Sequence, residues 1–189
     1  MRVYLVERGD SMILEGSKCI LRPVSKDDSI IVYKWFNDKE IIDKIIGFRI
    51  NFSLEESFYW CEKASRESNR DIKWIIESRE KASSSVGFVG LYNVDFISKN
   101  AEIAIILGER EFRGRGIGEE SLRLVCDFAF KYLGLNLISA QILSSNQPSL
   151  SLFRKLGFKE EGLLKNRIYR NGTWHDIVLM RLLSEEWTG

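Results

Sequence analysis

The chain has 189 residues, 44% of them hydrophobic and 29% charged, a composition that supports one well-packed domain and argues against a disordered or two-domain chain. A formal net charge of +1 supplies no global field to draw in nucleic acid or an anionic membrane. Three cysteines without CxxC pairing and a single histidine argue against a disulfide framework and exclude a multi-histidine metal site, and no apolar run approaches the ~18–20 residues of a membrane span.

The first sixteen residues, MRVYLVERGDSMILEG, are broken by Arg2, Glu7, Arg8 and Asp10 and hold no apolar signal core. The expectation is one domain over 1–189, in a reducing cytoplasm, with no metal and neither membrane nor nucleic acid as a direct partner. SMILEGSKCILRPV alternates on both sides of Gly16 and predicts two strands, the second ended near Pro23. SKDDSIIVYKWFND predicts a helix capped by Ser25, and SLEESFYWCEKASRES a second, with Ser53 and Glu56 as a capping box. DIKWIIES and SVGFVGLYNVD read as strands joined by the serine-rich loop Glu77–Gly87.

AEIAIIL, from Ala101 to Leu107, is a strand that is apolar except for Glu102. A glycine-rich loop follows, then a helix with Leu122, Val125, Ala129 and Leu133 on one face and Glu119, Arg123, Asp127 and Lys131 on the other, stopped by Gly134. LNLISAQIL is a strand. NQPSLSLFRKLGF is a short helix with Pro148 in its first turn and Gly157 as its stop, and Asn171-Gly172 sits between two alternating runs as a hairpin turn. A strand–helix–strand unit flanked by antiparallel pieces predicts an α+β fold with a mixed sheet.

The loop Arg113-Gly114-Arg115-Gly116-Ile117-Gly118 places three glycines at the mouth of a helix, where glycine weakens the helix itself. Helix N-termini expose unpaired amides and a positive dipole end, glycine lets a ligand approach them, and the two arginines add charge-assisted contacts; the expected occupant is a phosphate or pyrophosphate. No GxxxxGK[ST] is present, and the late GxGxG lacks the context of a dinucleotide-binding unit.

The pattern [Q/R]xxGxG, carried by Arg113, Gly116 and Gly118, together with Asn146-xx-Ser149-xx-Leu152-Phe153-x-Lys155-x-Gly157-Phe158, resembles the GNAT superfamily of N-acetyltransferases. LRPVSKDD, WFND, AEIAIILGE and NGTWHDIVLMRLL are similar to its RimJ/RimL-like branch, and the resemblance runs from about Leu14 to Leu183. It implies a mostly antiparallel sheet of six to seven strands with about four helices, splayed between two central parallel strands. It also implies acetyl-CoA as acyl donor, direct transfer to an amine, and a monomer or homodimer.

By the same resemblance the pyrophosphate is held by Arg113, Gly114, Arg115, Gly116, Ile117 and Gly118. The pantetheine arm meets Ile105, Ile106 and Leu107 through main chain, and also Asn146 and Phe153. Glu102 corresponds to a family base; the alternative is a surface-facing strand residue. Ser149 matches a serine that protonates the leaving thiolate, or it is a routine first-turn serine. Phe153 stands where many members carry a tyrosine acid, and a thiol of pKa about 8.5 leaves readily without one. The aromatics Trp35, Phe48, Phe52, Phe58, Tyr59 and Trp60, on the first two helices and their connector, are expected to supply the acceptor wall, with more than half of them core, and Tyr169 and Trp174 are weaker candidates for the same wall. Glu55, Glu56 and Glu62 lie near its mouth or form a solvated face. His175 receives no role, and Cys126 reads as core. The implied acceptor is a protein N-terminal α-amine, such as that of a ribosomal protein. Alternatives are a small amine (polyamine, amino sugar or antibiotic) or a non-catalytic acyl-CoA sensor.

Overall fold

The computed structural model describes residues 2–5, 12–47, 52–65, 70–80 and 84–189. Among the described residues nine strands form one sheet: β1 (Arg2–Leu5), β2 (Met12–Glu15), β3 (Cys19–Pro23), β4 (Ile72–Ser78), β5 (Ser84–Asp95), β6 (Asn100–Leu107), β7 (Leu137–Leu143), β8 (Lys159–Arg170) and β9 (Thr173–Leu183). Their spatial order is β1-β2-β3-β4-β5-β6-β7-β9-β8. Among these, only β6 and β7 run parallel. The mixed, mostly antiparallel α+β sheet is thus as expected, with more strands than six to seven. β2 and β3 are the two strands expected on either side of Gly16; β1, four residues at the N-terminal edge, is not among the expected strands and is too short to declare itself by alternation.

Five α-helices among the described residues accompany the sheet: α1 (Ser29–Phe36), α2 (Lys39–Ile42), α3 (Leu54–Ser65), α4 (Ile117–Asp127) and α5 (Gln147–Lys155). The first predicted helix ends at Phe36, where Asn37 turns its side chain onto the carbonyls of Tyr33 and Phe52, both at 2.9 Å; Asp38 then caps α2, which lies beyond the predicted span, through the Glu40 amide at 2.8 Å. The predicted box before α3 forms in both halves: the Glu56 amide donates to Ser53 Oγ at 3.0 Å, and the Ser53 amide to Glu56 Oε2 at 2.7 Å. The α4 helix widens into a π-helical turn over Phe128–Tyr132 before Gly134, at φ +64°, ends it.

Alternation along the central strands divides the core. Trp74, Ile76, Val89 and Leu91 join Leu122, Val125 and Phe128 of the α4 region, while Ile75 and Phe88 join Val32, Trp35 and Cys61 of α1 and α3. Both faces of the sheet are therefore covered, and each large side chain fully withdrawn from water contributes roughly 1.5–3 kcal/mol. Trp35 is wedged so closely that a Cβ on Gly108 would lie 2.1 Å from its Nε1. Gly108→Ala is expected to lower stability by about 1–3 kcal/mol through overpacking, read as a fall in the denaturation midpoint. Among the described residues no helix is long and apolar enough to cross a membrane.

Candidate active site

The parallel pair is short. β6 and β7 register only from Asn100↔Leu137 to Glu102↔Ser139. Beyond that point β6 stays with β5, through Val89↔Ile105 and Gly87↔Leu107, while β7 stays with β9, through Gln141↔Leu179. The sheet opens between them, and Ala104 is exposed in mid-strand. Amides and carbonyls alternate in direction along a strand, so the set on β6 that faces away from β5 looks into this gap. A cavity of about 880 Å³ occupies it, with Ile105, Ile106, Leu107, Asn146, Ser149 and Phe153 in its lining.

The glycine loop forms the other end. Gly114 and Gly116 have φ of +77° and +83°, a conformation that strongly favours glycine. Gly116 is the N-cap of α4, and the Glu120 amide makes the first return bond, to the Gly116 carbonyl at 3.0 Å. The amides of Ile117, Gly118 and Glu119 therefore have no acceptor within the helix and stand at its positive end. Gly118 lines the cavity, and a Cβ there would meet Leu107 Cδ1 at 3.2 Å. The Ile117 side chain is fully buried and anchors the turn from below.

The two loop arginines part company. Arg113 lines the cavity; its Nε and Nη2 donate to the Leu107 carbonyl at 3.3 and 3.2 Å, and its Nη1 to Glu40. Arg115 points outward to Glu80 at 2.6 Å and lies over the Phe112 ring, away from the residues that line the cavity. Lys155 of α5 lines the cavity instead, held by Glu119 at 2.5 Å. A residue with no assigned role in the sequence reading fixes the whole loop. Glu120 accepts the amides of Ser17, Lys18 and Cys19 and the hydroxyl of Ser17 at 2.6–2.9 Å, tying the β2–β3 turn to α4. Burial pushes its carboxyl up, but these bonds hold it below the ordinary range.

Glu102 sits where the strands separate and lines the cavity. Burial raises its pKa, opposed by Gln141, whose Nε2 donates to Oε2 at 3.2 Å. Tyr92, its register partner on β5, also lines the cavity; burial, then the charges of Asp71 and Glu102, push its phenol up. Ser149 stands in the first turn of α5, its amide donating to the Asn146 side chain at 3.3 Å, while Asn146 Nδ2 reaches the Lys44 carbonyl at 3.1 Å. Phe153 packs against Phe158 at 4.9 Å and offers an apolar wall.

The acceptor-wall expectations fare differently. Trp35 is 1% exposed, its Nε1 donating to Glu109 at 2.9 Å, and is outside the cavity lining. Tyr169 lies on Trp174 at the exposed end of the β8–β9 hairpin and likewise does not line the cavity. Phe48 falls outside the described residues. Trp60 lines the cavity as expected, while Phe52 is buried and Phe58 and Tyr59 are exposed, outside the lining; Phe36, Ile41, Ile45 and Phe88 complete the apolar wall. Neither Glu56 nor Glu62 lines the cavity: Glu56 caps α3 and Glu62 pairs with Lys26 at 2.8 Å. Cys19, Cys61 and Cys126 are buried free thiols; burial pushes the first two up to about 12 and Cys126 up as well, so none presents a nucleophilic thiolate.

The donor features fit a long anionic thioester: unpaired amides, Arg113 and Lys155 at one end, an open strand edge along the middle, and a carboxylate at the far end. Among the described residues no group of His, Cys, Asp and Glu side chains comes together as a metal set.

Comparison with known proteins points the same way. The family described as acetyltransferase (GNAT) domain matches residues 18–159. An N-acetyltransferase 9-like protein of Caenorhabditis briggsae is 34% identical over 160 residues, 79% of this chain and 79% of that protein. The spermidine N(1)-acetyltransferase of Vibrio cholerae is 23% identical over 178 residues, 91% and 96% of the two chains. A crystal structure of spermidine N-acetyltransferase from Vibrio cholerae in complex with CoA and spermine superposes with a TM-score of 0.81 at 23% identity, covering 92% of this chain and 100% of that one. That likeness establishes a shared fold.

Proposed function

We propose that this chain, which belongs to the acetyltransferase (GNAT) family, passes the acetyl group of acetyl-CoA directly to the α-amine of a peptide or protein N-terminus. That it is an N-acetyltransferase using acetyl-CoA follows from the family; the choice of acceptor and the roles of residues are our reading. The observation that carries the choice is the charge of the acceptor wall. Among the described residues two carboxylates line the cavity, and Glu119 is already paired with Lys155, which leaves Glu102, held by Gln141, as the one carboxylate there not paired with a cation. A polyamine brings several cations that need several carboxylates. An N-terminus brings one amine of pKa about 7.7–8.0, roughly a tenth or more of it neutral at pH 7, against under about a thousandth for a lysine of pKa about 10.4. One gentle base suffices for it.

In this reading the amides of the glycine loop with Arg113 and Lys155 hold the diphosphate of the donor, and the gap-facing backbone of residues 105–107 holds its arm. Bound acetyl-CoA supplies an activated acyl carbon. Glu102 accepts the proton of the incoming ammonium, directly or through water, and its raised pKa brings it closer to the working pH. A β6 amide facing the gap steadies the negative charge growing on the carbonyl oxygen. Ser149 is the hydroxyl assigned to the departing sulfur, a task made light by a thiol pKa of about 8.5. No cysteine is placed to carry the acyl group, so donor and acceptor meet in one complex.

Initial rates of CoA release with free and N-blocked peptides, and with spermidine, test this. Free peptides should exceed spermidine in kcat/KM by roughly tenfold or more, and blocked peptides should be inert. Preference for spermidine would move the acceptor to small amines, and CoA binding without release on any amine would move the chain to an acyl-CoA sensor.

A further inference from the structure

One wall of the cavity has little structure of its own. Residues 38–47 supply Ile41, Lys44, Ile45, Ile46 and Gly47 to the lining, yet only the four residues of α2 are helical. A helix that short does not stand unaided in water. Beyond its own short turns and its ion pairs, among them those of Glu40 with Arg110 and Arg113, this strap is held by bonds from Asn146, Arg170 and Asn171. Arg170 Nη1 donates to the Ile42 carbonyl at 2.6 Å and Nη2 to the Ile45 carbonyl at 2.8 Å, across 128 and 125 residues of sequence. Asn171 Nδ2 donates to Asp43 Oδ1 at 3.3 Å, and Asn146 Nδ2 to the Lys44 carbonyl at 3.1 Å.

The sequence aims Arg170 well. It is the last residue of β8, registered against Thr173, and the turn between them is Asn171-Gly172, both at positive φ (49° and 78°). Such a turn fixes the strand ends closely. The guanidinium then presents two donors in a planar fork to two carbonyls three residues apart. An ammonium is a compact point charge and cannot grip both in that way.

We infer that Arg170 is a positioning residue of the acceptor site: by clasping the carbonyls of Ile42 and Ile45 it sets the wall against which the amine substrate docks, without touching the donor site. The inference rests on the proposed acetyl transfer for its kinetic consequence but not for its structural one. Both are read in the 189-residue chain, comparing wild type with Arg170→Lys and Arg170→Gln. Hydrogen–deuterium exchange should accelerate in residues 38–47 and not in β4, β5 or α4. KM for an acceptor peptide should rise about tenfold in both variants, with the acetyl-CoA dissociation constant within about twofold of wild type and the pH–rate midpoint unmoved. Failure of lysine to rescue separates the forked grip from charge alone. Exchange and KM both like wild type would overturn the proposal, as would acceleration spread over the whole chain or KM restored by lysine. Should wild type acetylate no peptide, the acceptor assignment fails by itself, and exchange in 38–47 still decides whether Arg170 is the clasp.

Discussion

Glu102→Gln is expected to lower kcat/KM by about 10²–10⁴ while leaving acetyl-CoA binding intact. Glutamine keeps the shape and can still meet Gln141, so the loss isolates proton acceptance. The pH dependence gives a second reading. Burial raises the Glu102 pKa, so the wild-type rate should climb with pH through a midpoint above the ordinary carboxylate range, and the variant should lack that limb. The same shift has a sign for stability. The folded state holds the Glu102 proton more tightly than the unfolded chain does. Its stabilising contribution is therefore full at pH below the unfolded carboxylate value and is lost as pH rises through the raised one. The glutamine variant should thus melt at or above the wild-type temperature at neutral pH, with the gap closing in acid. An unchanged pH–rate profile would remove Glu102 from the chemistry.

Gly116→Val should damage donor binding above all else. The residue sits at φ +83°, where a β-branched side chain is strained, and its Cβ would lie 2.5 Å from Lys18 Nζ. The lysine end can swing away; the backbone cannot adapt without re-aiming the α4 amides. A strain of about 1–3 kcal/mol set against the bound geometry corresponds to roughly a 5–150-fold rise in the acetyl-CoA dissociation constant, measured by titration calorimetry. Gly134→Ala is the control. It carries a similar positive φ of +64°, with nothing within 4 Å, at the other end of the helix, so it should cost stability and leave donor affinity alone. Equal affinity in the Gly116 variant would mean that the loop amides do not hold the donor.

What was readable in the sequence was local. The glycine run, the spacing of Leu122, Val125 and Ala129, the Ser53–Glu56 box and the Asn171-Gly172 turn each follow from a few consecutive residues, and each appears as expected. What escaped depended on distance or on handedness. Glu120 looks like one more polar helix residue, because its donors lie 101–103 positions away. Arg115 shares its motif with Arg113, but glycines at positive φ on both sides carry it to the outer face. Trp35 obeys the helical spacing that a pocket wall would show and is nonetheless core, since Gly108 leaves room for its ring. Periodicity tells which side of a helix is apolar and is silent on whether protein or substrate covers it.

The parted strands carry one more implication. A row of unpaired backbone groups on an outer strand invites another chain to add itself, the usual first step toward fibrous aggregates. Here the unpaired row is recessed in the middle of the sheet, with β5 and β9 already occupying the outer sides of β6 and β7. A slender, flexible tether can slide into that crevice, whereas a foreign strand with side chains on both faces cannot. In the proposed reading the fold thus keeps a sticky edge for the arm of the donor and denies it to its neighbours.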